Sequence, residues 1–415
     1  MSSTPERSNG NGNDFARLWS GYTIAVVGNQ ITLLALPLAA ILLFGAGTFE
    51  TGVLVAVRMA PPVVAGLFIG VWVDRLPRRP ILVASSVASA LVIGSIPVAA
   101  ALHMLTIGQL YAVAFVAGCL ASATDLARGA LLPSLVDRAE LVGANSRLQG
   151  SLAVSQVAGP SLGGILVQAL SAPIAMVVDA LSFLASAALI FSMRVRESPR
   201  APEVEGSVWH EIVEGLRWLR REPIVFRSVI AITLANVEWF AVQAVLVVYA
   251  TRDLGLSPAL LGVALAASGP ASLIGAAFAG RLTRGWGLGP VMIVALFLEA
   301  ASRLLLPFAG GTPLEATAVL VVSQALVGLM APLFLVSSLT LRQSITPDRL
   351  LGRVNAAQTF VSSSVAPAAA LGAGVVAERI GLRPTLFAAG LIAVVASVYL
   401  LASPVRRFHS PPGAS

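Results

Sequence analysis

The chain has 415 residues, of which 57% are hydrophobic and 11% are charged. A soluble domain carries about 25% charged residues, so this composition excludes an ordinary soluble protein and implies a polytopic membrane protein of all-α class with the lipid bilayer as its apolar surroundings. The net charge of +7 is spread over short segments between apolar runs, a pattern that orients a membrane protein and is unlike a nucleic-acid-binding patch.

The other residue types exclude further chemistry. All 27 basic residues are Arg, so Schiff-base chemistry has no lysine to work with. Cys119 is the sole cysteine, so no intrachain disulfide can form, and His103, His210 and His409 show no metal-ligand spacing. Neither a cofactor nor a structural metal is expected.

In chain order, residues 1–17 are a polar tail that runs straight into an apolar segment without a small-residue cleavage site, which reads as an uncleaved first span. A membrane helix needs about 20 mostly apolar residues. Twelve such segments follow, at 18–43, 50–73, 80–101, 107–132, 142–169, 172–193, 224–250, 256–280, 287–308, 313–340, 352–376 and 381–402. They group into one bundle at 18–193 and another at 224–402, and residues 403–415 form a second tail. The linker at 194–223 contains SVWHEIVEGLRWLRRE, with Val208, Ile212, Leu216 and Leu219 at helical spacing, and predicts an amphipathic surface helix joining the halves.

With both termini cytoplasmic, only Arg252, Arg379 and Arg383 fall outside and Arg58 and Arg303 fall within spans, leaving about 22 of the 27 Arg on the inner side. The expected location is therefore a bacterial cell membrane, crossed many times, with both termini inside.

The halves echo one another. GVWVDRLPRRP at 70–80 stands opposite GRLTRGWGLGP at 280–290. Arg128 and Pro133 stand opposite Arg342 and Pro347, and Asn145 opposite Asn355. Parallel halves around a pseudo-twofold axis are a transporter arrangement, with a substrate site near the midplane between them.

These motifs resemble the major facilitator superfamily over essentially the whole chain. Gly70, Asp74, Arg75, Arg78 and Arg79 look like the signature between the second and third spans, with Pro77 where glycine is usual. The resemblance implies that Asp74 and its arginines form a conformational latch that stabilises the outward-facing state. Topology alone is the plainer reading of the same charges. Gly159, Pro160, Gly163 and Gly164 in QVAGPSLGGIL are similar to the motif of the antiporter branches, although its upstream glycines are replaced by Ser146 and Ser155. The phrases LWSGYTIAVVGNQIT, RMAPP, TDLARGALLP and VDALSFLASA look most like the branch of macrolide efflux proteins and the enterobactin exporter.

Ionisable residues at membrane depth cost at least ~2.5 kcal/mol each and usually face a cavity. Glu238 lies mid-span in LANVEWFAVQ, where its carboxylate is desolvated, and is the first proton-coupling candidate; Asp179 is the second. A structural, hydrogen-bonded Glu238 is the competing reading. Arg58 is either a counter-charge for an acidic substrate or the partner of Asp179. Asp125 and Arg128, three apart, read as an intrahelical or gate pair, and Glu299 and Arg303, four apart, read the same way.

Asn29, Gln30, Gln243 and Gln324 are amides that either bind a ligand or join helices, and Trp239 with Phe240 could wall a cavity.

The resulting expectation is a secondary active exporter of a lipophilic small molecule (a drug, macrolide-like compound or siderophore), driven by proton antiport with alternating access. No GxxxxGK[ST] loop is present for ATP hydrolysis, and no constellation points to an enzyme. Expected partners are the substrate, protons and the bilayer, with no nucleic acid and no obligate protein partner. An importer or uniporter of a small polar solute is the alternative on the same fold, ahead of a receptor or a membrane enzyme.

Overall fold

The computed structural model describes residues 8–64, 76–137, 139–195 and 208–408, which are almost entirely helical with no strand among them. The first half contains α1 (Ser8–Phe44), α2 (Thr48–Met59), the short α3 (Pro61–Val64), α4 (Arg78–Ala101), α5 (Ile107–Leu135), α6 (Leu141–Ala169) and α7 (Ala172–Phe191). Helix α8 (Val208–Arg221) leads into the second half, made of α9 (Pro223–Val248), α10 (Pro258–Ala266), α11 (Ser268–Trp286), α12 (Leu288–Leu305), α13 (Pro313–Ile345), α14 (Asp348–Ile380) and α15 (Leu382–Leu401).

Eleven helical segments among the described residues are long and apolar enough to cross a membrane, counting α10 and α11 as one. Helices α2 and α3 begin the remaining one of twelve, and residues 65–75 of it lie outside the described residues.

Two expected spans are broken by proline. The second is interrupted at Ala60, immediately before Pro61 and Pro62; Ala60 keeps helical dihedrals (φ -67°, ψ -37°), and the interruption comes from the two prolines, which lack the N–H that the preceding turn requires. The eighth divides at Ala267, where α10 ends at Ala266. Pro270 stands four residues beyond Ala266, the position whose carbonyl its ring would strike.

Three buried clusters show how the halves meet. At the end carrying the chain termini, Phe15, Leu18, Leu82, Leu131, Leu148 and Ile190 form a core belonging to the first half alone. Leu219, Val225, Leu296, Leu341, Val354 and Val405 belong to a core of the second half alone. The third cluster joins the halves: Leu36, Ala46 and Leu54 share it with Val245, Leu254 and Ala370. These residues lie toward the end opposite the termini.

Close backbone contacts seal that opposite end. A Cβ on Gly52 would come within 2.8 Å of the Ala370 carbonyl, and one on Gly164 within 2.3 Å of the Pro258 carbonyl. Arg252 donates to the carbonyls of Gly45 (2.5 Å) and Ala46 (2.8 Å).

Helix α8 lies on the second half. Ile212 and Leu219 are buried, and Leu216 packs on the same core. Gly215 meets the Arg353 backbone, and Arg353 forms an ion pair with Glu214 at 2.7 Å. The amphipathic pattern is thus used against protein.

Candidate functional site

Between the halves lies a cavity of about 990 Å³, at the upper end of the range for small-molecule sites, about 300–1,000 Å³. Its wall takes residues from both halves, including Gln30 on α1, Arg58 on α2, Pro160 on α6, Trp239, Phe240 and Gln243 on α9, and Gln324 on α13. It extends past Ser146 and Gln149, near the start of α6, and past Leu335 and Val336 in the last third of α13. Those positions lie toward the terminus end, so the cavity runs in the direction away from the sealed end.

Most of the wall is apolar, as expected for helices that otherwise face lipid. The aromatic pair Trp239–Phe240 and the amides Gln30, Gln243 and Gln324 all line it. Asn29 is not part of the lining; its Oδ1 accepts a hydrogen bond from Arg58 at 3.1 Å. That bond holds the Arg58 guanidinium against α1.

Asp179 is fully buried on α7. Its Oδ1 accepts from the Ser182 hydroxyl at 3.3 Å, and its Oδ2 receives no hydrogen bond. A side chain on Gly28 would strike Asp179 Oδ1 at 2.7 Å, so that glycine is what lets α1 pack over the carboxyl group. Arg58 and Asp179 act on one another electrostatically, yet they form no ion pair among the described contacts. The expected Arg58–Asp179 pairing is therefore not a direct contact, because Asn29 takes the guanidinium.

The second buried charge cluster lies behind the other wall. Glu238 on α9 is 1% exposed and Arg303 on α12 is 2% exposed. Arg303 Nε lies 2.9 Å from Glu238 Oε1. The contact has ion-pair distance, but the N–H is not aimed at the oxygen, and neither carboxylate oxygen receives a hydrogen bond. Arg303 Nη1 donates to Gln324 Oε1 at 2.8 Å, and the guanidinium carbon stands 5.3 Å from the Trp239 ring centre. Since Gln324 and Trp239 both line the cavity, the buried pair touches its wall at two points.

This corrects one expectation. Glu299 and Arg303 do not form the intrahelical pair that their spacing suggests; Arg303 instead crosses to Glu238 on another helix. Glu299 is also buried, 7% exposed, one turn back on the same helix. Spacing along one helix shows which residues share a face, but not which helix will be packed there.

Asp125 and Arg128 do form the expected contact within α5, at 2.7 Å. Arg128 also stacks 4.1 Å from the centre of the Tyr22 ring. Its counterpart in the echo, Arg342, is used differently: its Nε donates to Asn355 Oδ1 at 2.8 Å and its Nη1 to Gln358. In the first half, Asn145 bonds the Leu141 carbonyl instead. The echoed residues have thus diverged in their contacts.

Gly70, Asp74 and Arg75 lie outside the described residues. Arg79 donates to the carbonyls of Ile190 (3.3 Å) and Phe191 at the C-terminus of α7, where a cation satisfies otherwise unpaired backbone oxygens.

The GPxxGG element is a two-sided contact. On one side, a Cβ on Gly159 would fall 2.2 Å from the Gln30 side chain, and Gly163 faces Ile31, both on α1. On the other, Gly164 and the Pro160 carbonyl meet Pro258 and Gly262 of α10. Helix α6 therefore packs on its own half through Gly159 and on the opposite half through Gly164.

These broken helices and paired halves, enclosing a cavity between them, match known proteins. The family model described as Major Facilitator Superfamily matches residues 18–251 and 228–414. The chain belongs to the major facilitator superfamily. The multidrug efflux pump Tap of Mycolicibacterium fortuitum is 27% identical over 386 residues, covering 91% of each chain. An uncharacterised MFS-type transporter of Bacillus subtilis, YfiS, is 24% identical over 398 residues, covering 92% of this chain and 91% of its own. Among solved structures, a bacterial homologue of the iron transporter ferroportin in an inward-facing state superposes with a TM-score of 0.75 at 16% identity, covering 94% of this chain and 98% of that one. A mutant of the nucleoside transporter NupG superposes with a TM-score of 0.76 at 11% identity, covering 95% and 99%. At such identities these likenesses establish the fold only.

Proposed function

We propose that the chain is a proton-coupled exporter of a bulky lipophilic small molecule, working by alternating access. The observation that carries this reading is the Glu238–Arg303 ion pair, which is buried in the second half and touches the cavity wall through Gln324 and Trp239. The relation to a multidrug efflux pump over most of both chains favours a drug-like substrate.

Charge balance gives the pair a mechanism. Glu299 is a second buried carboxyl group, one turn back from Arg303 on α12, so two carboxyl groups and one arginine stand in an apolar surround. An uncompensated charge there is expensive, so the cluster is neutral when it holds one proton. With Arg303 on Glu238, that proton belongs to Glu299. Moving it to Glu238 releases Arg303 to Glu299, one turn back on its own helix. The move withdraws the guanidinium from Gln324 and Trp239 and reshapes the substrate wall. Glu238 is then the group whose protonation the cavity senses, and Asp179 is the second candidate. Gln30, Gln243, Gln324 and Trp239 would contact the substrate body.

With both termini cytoplasmic, as the arginine distribution argues, the cavity opens to the cytoplasm in this state. The GPxxGG element would act as the pivot, since its glycines bring α6 against both halves. The Asp74 signature would latch the opposite state, and the Asp125–Arg128 pair would gate the cytoplasmic end.

Flux through purified protein in liposomes carrying an imposed pH gradient tests the proposal. A panel of macrolides, lipophilic ions and siderophores should include compounds that accumulate in acid-interior vesicles and cease to do so when the gradient is collapsed. Flux that ignores the gradient would instead indicate a uniporter, and accumulation along with the proton would indicate an importer.

A further inference from the structure

We infer that the cavity selects a lipophilic compound bearing an acidic group, and that Arg58 receives that group. This deepens the reading above and rests on the cavity being the substrate site.

The first argument is the charge of the wall. Among the described residues lining the cavity, Arg58 is the only one with a formal charge, and no Asp or Glu is present. The remaining polar groups are amides and hydroxyls, which can orient a ligand but cannot neutralise a charge. A lipophilic cation entering the cavity would shed water and meet a like charge. An oxyanion would meet a guanidinium whose planar N–H edge matches two oxygens at once.

The second argument is what Arg58 leaves unused. Its described hydrogen bond goes to a neutral acceptor, Asn29 Oδ1, at 3.1 Å, and no carboxylate among the described residues stands at ion-pair distance. Guanidinium carries five N–H donors. Asp179 is buried behind α1 and makes no ion pair with Arg58, so the half-buried guanidinium keeps donors available to a ligand.

The backbone beside Arg58 is closely packed. Arg58 stands two residues before the break at Ala60, and a Cβ on Gly118 would lie 2.5 Å from its carbonyl oxygen. Ala60 keeps helical dihedrals, so the discontinuity is one of missing N–H groups at Pro61 and Pro62, and discontinuous helices commonly form transporter binding sites.

A matched set of ligands tests this: 1-pyrenebutyrate, its uncharged amide, and 1-pyrenebutylamine, which share one aromatic body. Binding to the full-length protein in nanodiscs of neutral lipid is read by energy transfer from tryptophan to pyrene. The butyrate should bind about tenfold more tightly than the amide, as a charge-assisted bond outweighs a neutral one, and the amine should bind most weakly. Arg58→Gln should bring the three affinities together, while Arg58→Lys should keep part of the order. Should Arg58→Gln not fold, the order among the three ligands on the wild-type protein still decides. An amine bound as tightly as the butyrate, or an order that survives Arg58→Gln, overturns the inference while leaving the cavity as the site. Binding of none of the three would overturn the cavity reading itself, and this inference with it.

Discussion

Arg303 reaches from α12 across to Glu238 on α9, 2.9 Å away, although Glu299 stands one turn back on its own helix. The choice of partner matters because Arg303 also holds Gln324 and Trp239, two residues of the cavity wall. Any event that moves the arginine is therefore felt where a substrate would sit.

Removing one member of this buried pair should be costly. Arg303→Met is expected to lower stability by about 3–5 kcal/mol, because it leaves Glu238 buried without a counter-charge. Glu238→Gln with Arg303→Met should recover much of that loss, since neither charge then remains. Thermal unfolding of the detergent-solubilised variants checks both. Equal losses in the single and double variants would mean that packing, and not charge, dominates the site.

Gln324 should matter more to coupling than to folding. Gln324→Met removes the acceptor of the 2.8 Å bond from Arg303 while filling similar volume. Gradient-driven accumulation should fall about tenfold, the worth of one hydrogen bond to a charged group, and substrate exchange at equal pH should fall less. Equal losses in the two assays would assign Gln324 to substrate binding alone.

Gly164→Val tests the seal opposite the termini. A Cβ there would lie 2.3 Å from the Pro258 carbonyl, a backbone atom that cannot move aside, and overpacking of this kind costs about 1–3 kcal/mol. The halves should part at this end. Spin labels at Leu102→Cys and Phe308→Cys, both exposed positions, in a Cys119→Ser background should report a longer mean distance. An unchanged distance distribution would show that the contact does not set the state.

The docking of α8 should depend on its apolar face and its glycine, and little on its ion pair. Gly215→Leu would drive a side chain into the Arg353 carbonyl, 2.2 Å from the Cβ position, with an expected cost of about 1–3 kcal/mol. Glu214→Ala breaks the 2.7 Å pair with Arg353, whose side chains are about a third or more exposed, and should cost under about 1 kcal/mol. Differential scanning measurements on the two variants should therefore separate clearly.

Much of this arrangement was legible in the sequence because a bilayer leaves few alternatives. Runs of about 20 apolar residues must be helices, and the described helices follow the expected spans closely. The breaks at Ala60 and Ala267 were harder to foresee, although Pro61, Pro62 and Pro270 mark them in retrospect. Glu238, Gln324, Trp239 and Gln243 stand out in the sequence as polar or aromatic residues at membrane depth, and three of the four line the cavity directly. Their link to Arg303 is not visible in the sequence, because it depends on α9, α12 and α13 meeting at one height. Periodicity along each helix carries no information about that meeting. The same holds for Arg58, whose side chain turned to Asn29 instead of Asp179.

Two transport modes of Glu238→Gln separate a proton-carrying Glu238 from a structural one. The variant keeps the size of the side chain and removes its ability to ionise. In everted membrane vesicles, Glu238→Gln should still exchange labelled for unlabelled substrate across the membrane, but should neither accumulate substrate against its gradient nor release protons when substrate is added. Accumulation and proton release at the wild-type level would rule out Glu238 as the proton carrier and leave it as a structural partner of Arg303.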